Sequence, residues 1–300
     1  MILRKIYNYI YLYIGRTLYK KPNIRKYLPD KMYLQNYWKE RMGYYMDFDH
    51  PQTFNEKLQW LKLYDRNPQY TVMADKVAVK DYVSNLIGME HIIPTLGVYD
   101  NFDEIDFNTL PEQFVIKCSH DSGSVVVCKD KAALDVDKIR ESFTKSLKSN
   151  WYEIGKEWAY KNVQPKIIIE QYMQDCRQDS LTDYKFYSFN GEPKFLYVSY
   201  NLSDHENAFI NYLTIDWQST PFHRQDYKEN PNLPVKPKHY DQMVKFCRLL
   251  SKNIPFVRVD FYEINSIVYF SELTFYPGCG MTPFIPNEWD NKVGEYITVV

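Results

Sequence analysis

The chain has no long hydrophobic run, no cysteine framework and no excess of either charge. Its most apolar early stretch, Ile6 to Ile14, falls far short of the roughly 20 residues that a membrane-spanning helix needs. Five cysteines (118, 128, 176, 247 and 279) form an odd, scattered set without a C-x-x-C pair. That excludes the usual zinc-ligand spacing and a disulfide framework, and free thiols suit a reducing cytoplasm. With 37 basic against 38 acidic side chains, the chain lacks an overall electrostatic footprint for nucleic acid. No Gly-Lys-Ser/Thr run opens a helix, so a P-loop is excluded. No internal repeat is evident and no secretory signal is read at the N-terminus. No Ser-His-Asp or Cys-His arrangement offers a protein nucleophile.

What is present divides along the chain. Three hundred residues exceed one small core and predict two or three lobes. The 28 tyrosines suit ligands with apolar faces and polar rims, sugars among them, and fit a coding bias equally well. Residues 1–26 hold Arg4, Lys5, Arg16, Lys20, Lys21, Arg25 and Lys26 and no acid. A basic, tyrosine-rich helix of this kind either lies on the anionic inner face of a membrane or packs on the body of the protein. Residues 1–50 therefore read as a basic helical segment, with breaks near Pro22 and Pro29. Residues 51–112 read as an N-terminal α/β lobe, opened by a capping box at Thr53 and Glu56. Residues 113–175 and 176–300 read as two further lobes. Phe114–Cys118 and Val125–Cys128 are expected as a hairpin, 136–161 as helical and Lys166–Glu170 as a buried strand. Asp183–Phe189, Asn190-Gly191 and Pro193–Tyr200 form a second expected hairpin, and 238–252 a helix. The class is α+β with mainly antiparallel sheets, without the βαβ alternation of a doubly wound sheet.

Charged groups then appear where strands should be apolar. Arg258 and Asp260 share one strand face, and Glu272 and Thr274 share a face of the next strand. Buried charges must be paired or bind a metal. Two carboxylates beside an arginine suit Mg²⁺ and a phosphate. For Asp260 and Glu272 to share a face, an odd-length loop at residues 264–266 is expected; a two-residue turn at Asn265-Ser266 would separate them. Upstream, Lys117 ends an apolar strand before Ser119-His120-Asp121-Ser122-Gly123-Ser124, a loop whose backbone N–H groups can surround phosphates. Glu170-Gln171-Tyr172-Met173 ends another strand, where backbone groups can meet an adenine edge. Lys185 lies on a third strand with Asp183 and Tyr187.

The order of these pieces resembles the TupA-like family of the ATP-grasp superfamily, which is associated with bacterial cell-surface polysaccharide clusters. The resemblance is carried by Phe54-Asn55-Glu56-Lys57-Leu58, Ala74-Asp75-Lys76, Phe114 to Gly123, Pro165 to Glu170, Asp183-Tyr184-Lys185-Phe186, Arg258-Val259-Asp260-Phe261 and Glu272-Leu273-Thr274. It implies an ATP-grasp fold and an ATP- and Mg²⁺-dependent carboxylate–amine ligase acting through an acyl phosphate, on small-molecule or saccharide substrates. Lys117 and Lys185 would hold the ATP phosphates, and His120, Ser122, Gly123 and Ser124 would close over them. Glu170, Gln171, Tyr172 and Met173 would form the adenine and ribose hinge. Asp260 and Glu272 would bind Mg²⁺, with Thr274 where the family more often has asparagine, and Arg258 would steady the transferred phosphoryl group. Two alternatives stay open. One is a glycosyltransferase using the D-x-D strings Asp47-Phe48-Asp49 or Asp135-Val136-Asp137; the other is a sugar kinase on the same fold.

Overall fold

The computed structural model describes residues 2–177, 180–200, 208–224 and 228–299. Three helices open the chain: α1 (Ile2–Tyr19), α2 (Pro22–Arg25) and α3 (Asp30–Met42). Pro22 stands in the first turn of α2, where its missing N–H costs nothing. Gly43 ends α3 in a left-handed cap at φ 83°. Leu34 and Trp38 of α3 are buried with Tyr19, Leu28, Met46, Phe48 and Leu63 in a cluster of their own. The side chains of residues 1–10, Arg4 and Lys5 among them, lie outside the described residues.

The helices α4 (Phe54–Tyr64), α5 (Gln69–Ala74) and α6 (Ala78–Ile87) follow. The capping box at the start of α4 forms as expected: Thr53 Oγ1 accepts from the Glu56 N–H and Glu56 Oε2 from the Thr53 N–H. Asn55 donates to Asp290 at 2.6 Å and Lys57 to the carbonyls of Gly294 and Ile297. This part of the family-like motif therefore binds α4 to α10 (Glu288–Gly294).

Two antiparallel sheets carry the rest. The first has the order β1-β4-β2-β3: β1 (Thr95–Tyr99), β2 (Phe114–Cys118), β3 (Val125–Cys128) and β4 (Ile167–Gln171). Its apolar side packs on α7 (Val136–Leu147), with Phe114, Ile116, Ile169 and Phe143 buried together. The second has the order β7-β6-β5-β8-β9: β5 (Asp183–Phe189), β6 (Glu192–Tyr200), β7 (Phe209–Thr214), β8 (Phe256–Ile264) and β9 (Ile267–Thr274). One face of this sheet packs on α9 (Tyr240–Leu250), through residues such as Phe186, Phe246 and Phe261.

The expected hairpins form, and Asn190-Gly191 turns the β5–β6 hairpin with φ 49° and 89°. Three elements differ from expectation. The helix over 136–161 stops at Leu147, and a short helix α8 (Tyr152–Gly155) restarts after Asn150, whose side-chain oxygen accepts from the Tyr152 N–H. Strand β7, unmarked in the sequence pattern, takes the edge beside β6.

The third difference bears on the site. The β8–β9 loop is the two-residue turn Asn265-Ser266, with φ 50° and 65°, and not an odd loop. From Ile264↔Ile267 to Phe261↔Phe270 the ladder is regular, which would set Asp260 opposite Ser271. A β-bulge at that point inserts one residue, so Asp260 faces Glu272 and Arg258 faces Thr274. A bulge places two residues of one strand against one of the other. It restores the shared face that the turn alone would have denied, and it makes Asp260 and Glu272 direct cross-strand partners.

Candidate active site

The charged strand positions converge on a cleft between the two sheets. Its cavity, about 380 Å³, is lined from the first sheet by Val115, Lys117, Val125 and Val127, and from the second by Lys185, Tyr262, Ser271 and Glu272. Gln171, Tyr172 and Met173 close one end, and Lys76 enters from the segment before α6. Apolar walls with a few fixed charges are the usual make-up of a small-molecule site.

The second sheet supplies an anion-rich wall. The register sets Lys185 of β5, Asp260 of β8 and Glu272 of β9 side by side across three strands. Arg258 sits at the centre. Its Nε donates to Asp260 Oδ1 at 2.8 Å, and its Nη2 to Asp260 Oδ2 at 2.6 Å, Glu272 Oε1 at 2.7 Å and Thr274 Oγ1 at 2.9 Å. Lys185 donates to Asp260 Oδ2 at 2.9 Å and stands 3.2 Å from Asp183. Asp260 is fully buried, whereas 41 % of the Glu272 side chain stays exposed towards the cleft. Burial pushes the Glu272 carboxyl up, but Arg258, Lys185 and Lys76 together hold it down at about 2. Burial likewise works against the Lys185 ammonium, and Asp183 and Asp260 outweigh it, keeping its pKa well above the ordinary lysine range.

The first sheet supplies a cation-rich wall. Glu170, buried on β4, lies between Lys117 Nζ and Lys80 Nζ, each at 2.5 Å. Burial pushes Glu170 up, yet the two lysines bring it below its ordinary value. Lys80 and Lys76 are both pulled down by burial, against the pull of Glu170 on Lys80 and of Glu272 on Lys76.

Most of the residues picked from the sequence thus meet here, with three corrections. Glu170 is not part of a nucleotide hinge through its side chain, which is spent on the two lysines; the Gln171 N–H is also taken, by the Pro94 carbonyl. Tyr172 and Met173 line the cleft beside Glu170 and Gln171. His120 turns away from the cleft: it is buried, and its Nε2 pairs with the Ser146 carbonyl at 3.0 Å. In the loop itself, Ser124 Oγ and Ser146 Oγ both donate to Asp121, and the exposed tip Ser122-Gly123 does not line the cleft.

Of the D-x-D strings, Asp135 caps α7 by accepting from the Lys138 N–H. Sequence reasoning missed Lys76 and Lys80 as site residues. The Ala74-Asp75-Lys76 motif held a signal for the first. The second, Lys80, lies in the first turn of α6 and looks like any helix-surface lysine in the sequence.

Two carboxylates and a hydroxyl on one sheet face lie within 3 Å of a single guanidinium nitrogen; they are oxygen donors of the kind Mg²⁺ takes, and of the two carboxylates Glu272 is the one open to the cleft. Among the described residues there is no group of three His, Cys, Asp or Glu side chains at metal-binding spacing. Arg258 is the counter-ion of the two carboxylates.

A family model for TupA-like ATPgrasp proteins matches residues 56–298. Among solved structures, the D-alanine–D-alanine ligase of Helicobacter pylori is similar at 17 % identity and TM-score 0.43, over 75 % of this chain and 63 % of that one. The D-alanine–D-alanine ligase of Bacillus anthracis is similar at 14 % identity and TM-score 0.41, over 74 % and 63 %. The ATP-grasp ligase PsnB, solved with a phosphomimetic precursor variant, Mg and ADP, is similar at 9 % identity and TM-score 0.40, over 81 % and 66 %. The chain spans less than two thirds of the length of both D-alanine ligases. No curated protein matches.

Proposed function

The chain belongs to the TupA-like ATPgrasp family, and from that premise we propose that it is an ATP-dependent carboxylate–amine ligase of cell-surface polysaccharide assembly. It would join an amino acid or other amine to a uronic acid or similar carboxylate. The carrying observation is the pair of opposed walls: Lys117 on one sheet faces Lys185 and Glu272 on the other across a single cleft.

The chemistry follows from those charges. A carboxylate is a poor acyl donor because it has no leaving group. In the proposed reaction its oxygen takes the γ-phosphoryl group of ATP, ADP departs, and an amine then attacks the acyl carbon and expels phosphate. Lys117, Lys185 and Lys76 would bind and orient the triphosphate. Arg258 would hold the acyl-phosphate oxygens as charge moves onto them. Tyr172 and Met173 would seat the base against the apolar walls Val115 and Val127. Asp260, Glu272 and Thr274 would hold Mg²⁺, which when bound neutralises phosphate charge. No protein nucleophile is required; positioning and electrostatics suffice.

A screen of uronic acids against amino acids for ADP and phosphate release, with product mass, tests this reading. Lys117→Ala should lower turnover about 10²–10³-fold and Glu272→Ala should abolish it, both with the fold intact; normal turnover in either variant rejects the site. Release of ADP without phosphate, with a stable phosphorylated sugar, would instead identify a kinase. Turnover of a nucleotide sugar without ATP would identify a glycosyltransferase.

The N-terminal segment would rest on the inner face of the membrane. Exposed Tyr13, Ile14 and Tyr27 lie among exposed Arg16, Lys20, Lys21, Arg25 and Lys26. Among the described residues, no helix is long and apolar enough to cross a membrane. Replacing Arg16, Lys20 and Lys21 together by glutamate should abolish co-sedimentation with phosphatidylserine vesicles; unchanged sedimentation would count against the contact.

A further inference from the structure

Resting on the nucleotide reading of the cleft, we infer that Asn265 is a positioning residue for nucleotide binding. From the β8–β9 turn its side-chain amide clamps residues 174–176 and so fixes the segment that lines the base end of the cleft. That segment needs a clamp. Strand β4 ends at Gln171, whose N–H is held by the Pro94 carbonyl, and residues 172–175 continue without helix or strand. Tyr172, Met173 and Gln174 line both the nucleotide cleft and a second hollow of about 410 Å³, which they share with Ile264, Asn265 and Tyr269. The segment thus stands between two cavities, and few buried contacts leave a segment free to open locally.

Asn265 supplies the missing hold. Its Oδ1 accepts from the Cys176 N–H at 3.1 Å, and its Nδ2 donates to the Gln174 carbonyl at 3.3 Å. One side-chain amide therefore pairs with a carbonyl and an N–H two residues apart, as a neighbouring strand would, and only an Asn or Gln side chain offers both a neutral donor and an acceptor in that form. Between the two bonds lies Asp175, buried and gripped by Arg177 Nε at 2.9 Å and Nη2 at 2.7 Å. The Arg177 guanidinium, with the Asn265 backbone N–H behind it, holds the Asp175 carboxyl below its usual range. The turn and the segment are joined through backbone and side chain alike.

The two duties of Asn265 can be separated. Its φ of 50° suits asparagine and glycine, so glycine would keep the turn and lose only the amide. A segment ordered in advance spares the nucleotide the cost of ordering it on binding. Loss of the clamp should therefore appear in nucleotide affinity and not in the stability of the whole fold.

The test is titration calorimetry of the full chain with ADP and Mg²⁺, beside urea unfolding and hydrogen exchange of residues 172–176. Asn265→Gly should weaken ADP binding about tenfold and speed exchange in that segment, at an unchanged urea midpoint. Ser266→Gly alters the other turn residue and should leave ADP affinity as it is. The inference is overturned if Asn265→Gly binds ADP as tightly as the unaltered chain. It is also overturned if the two glycine variants lose affinity equally, or if the loss comes with a general fall in the urea midpoint. An unaltered chain that does not bind ADP would overturn the nucleotide reading itself and this inference with it.

Discussion

The two walls of the cleft solve the same problem with opposite signs. Each sets a cation–carboxylate cluster at its sheet, and each must neutralise charge largely away from water. On the first sheet one carboxylate, Glu170, serves two lysines, and the surplus is positive. On the second, Arg258 and Lys185 serve Asp183, Asp260 and Glu272, and the surplus is negative. The difference teaches which charge each wall offers to the cleft: the first a surplus of ammonium, the second a surplus of carboxylate. It also separates structure from chemistry. Glu170 and Asp260 are buried counter-ions, whereas Lys117 and Glu272 present their charge to the cavity.

Removing the hub of the anionic wall is the harshest way to break this comparison. Arg258→Ala leaves Asp260 buried beside a single lysine. Breaking a buried pair in this way costs about 3–5 kcal/mol, read as a lower urea midpoint; a loss under about 1 kcal/mol would show that Arg258 is not the neutralising group. Lys117→Ala should act differently. Lys80 still pairs with Glu170, so stability should fall less, while turnover should drop about 10²–10³-fold, the loss seen when one transition-state donor is removed. Lys80→Ala is the milder counterpart. Glu170 keeps Lys117, and a loss of about 1–2 kcal/mol is expected for one charge-assisted bond, with more turnover retained than in Lys117→Ala. If the two lysine variants prove equal in turnover, the distinction between presenting and supporting lysines falls.

Acid titration sharpens the same contrast. The Glu272 carboxyl is held at about 2 against an ordinary 4.5. A depressed folded-state pKa gives stability that is present above the ordinary value and lost as pH falls through the folded one. The Arg258 cluster should therefore lose Glu272's contribution between about pH 4.5 and pH 2. A Glu272→Gln variant should show a flatter stability profile across that window, measured by thermal unfolding at fixed ionic strength. The smallest effect concerns the turn that carries the anionic wall. Ser266 sits at φ 65°, so Ser266→Gly should relieve the left-handed strain, and a gain of a few tenths of a kcal/mol is expected. A loss would mean that the serine side chain holds the turn.

The anionic wall was legible in the sequence because Arg258, Asp260 and Glu272 interrupt apolar strand runs, and such interruptions must be paired. The strands themselves were legible for the same reason in reverse: β2, β4 and β8 are apolar runs with few rivals. The bulge was not legible. An extra residue in β9 differs from a regular strand only in what it pairs with, and pairing is set by packing of Phe270 and Leu273 against the core on one side and Glu272 against Arg258 on the other. The role of Glu170 was hidden because its partners, Lys117 and Lys80, come from a different strand and a helix. Lys80 looked like any lysine at a helix surface. His120 was misplaced because Ser146, which holds it, arrives from α7 across the fold.

The bulge at Ser271 has one more consequence, for how this hairpin tolerates length change. Because the mismatch is absorbed inside β9, the turn and the charged end are mechanically independent. Deleting Ser271 would straighten β9 and still leave Glu272 next in line to meet Asp260. A residue lost from the Asn265-Ser266 turn has no such slack and would shift every pair between turn and bulge. Single-residue gaps near Ser271 are thus compatible with an unchanged charged end, and the interval between the two carboxylates can vary by one without separating them.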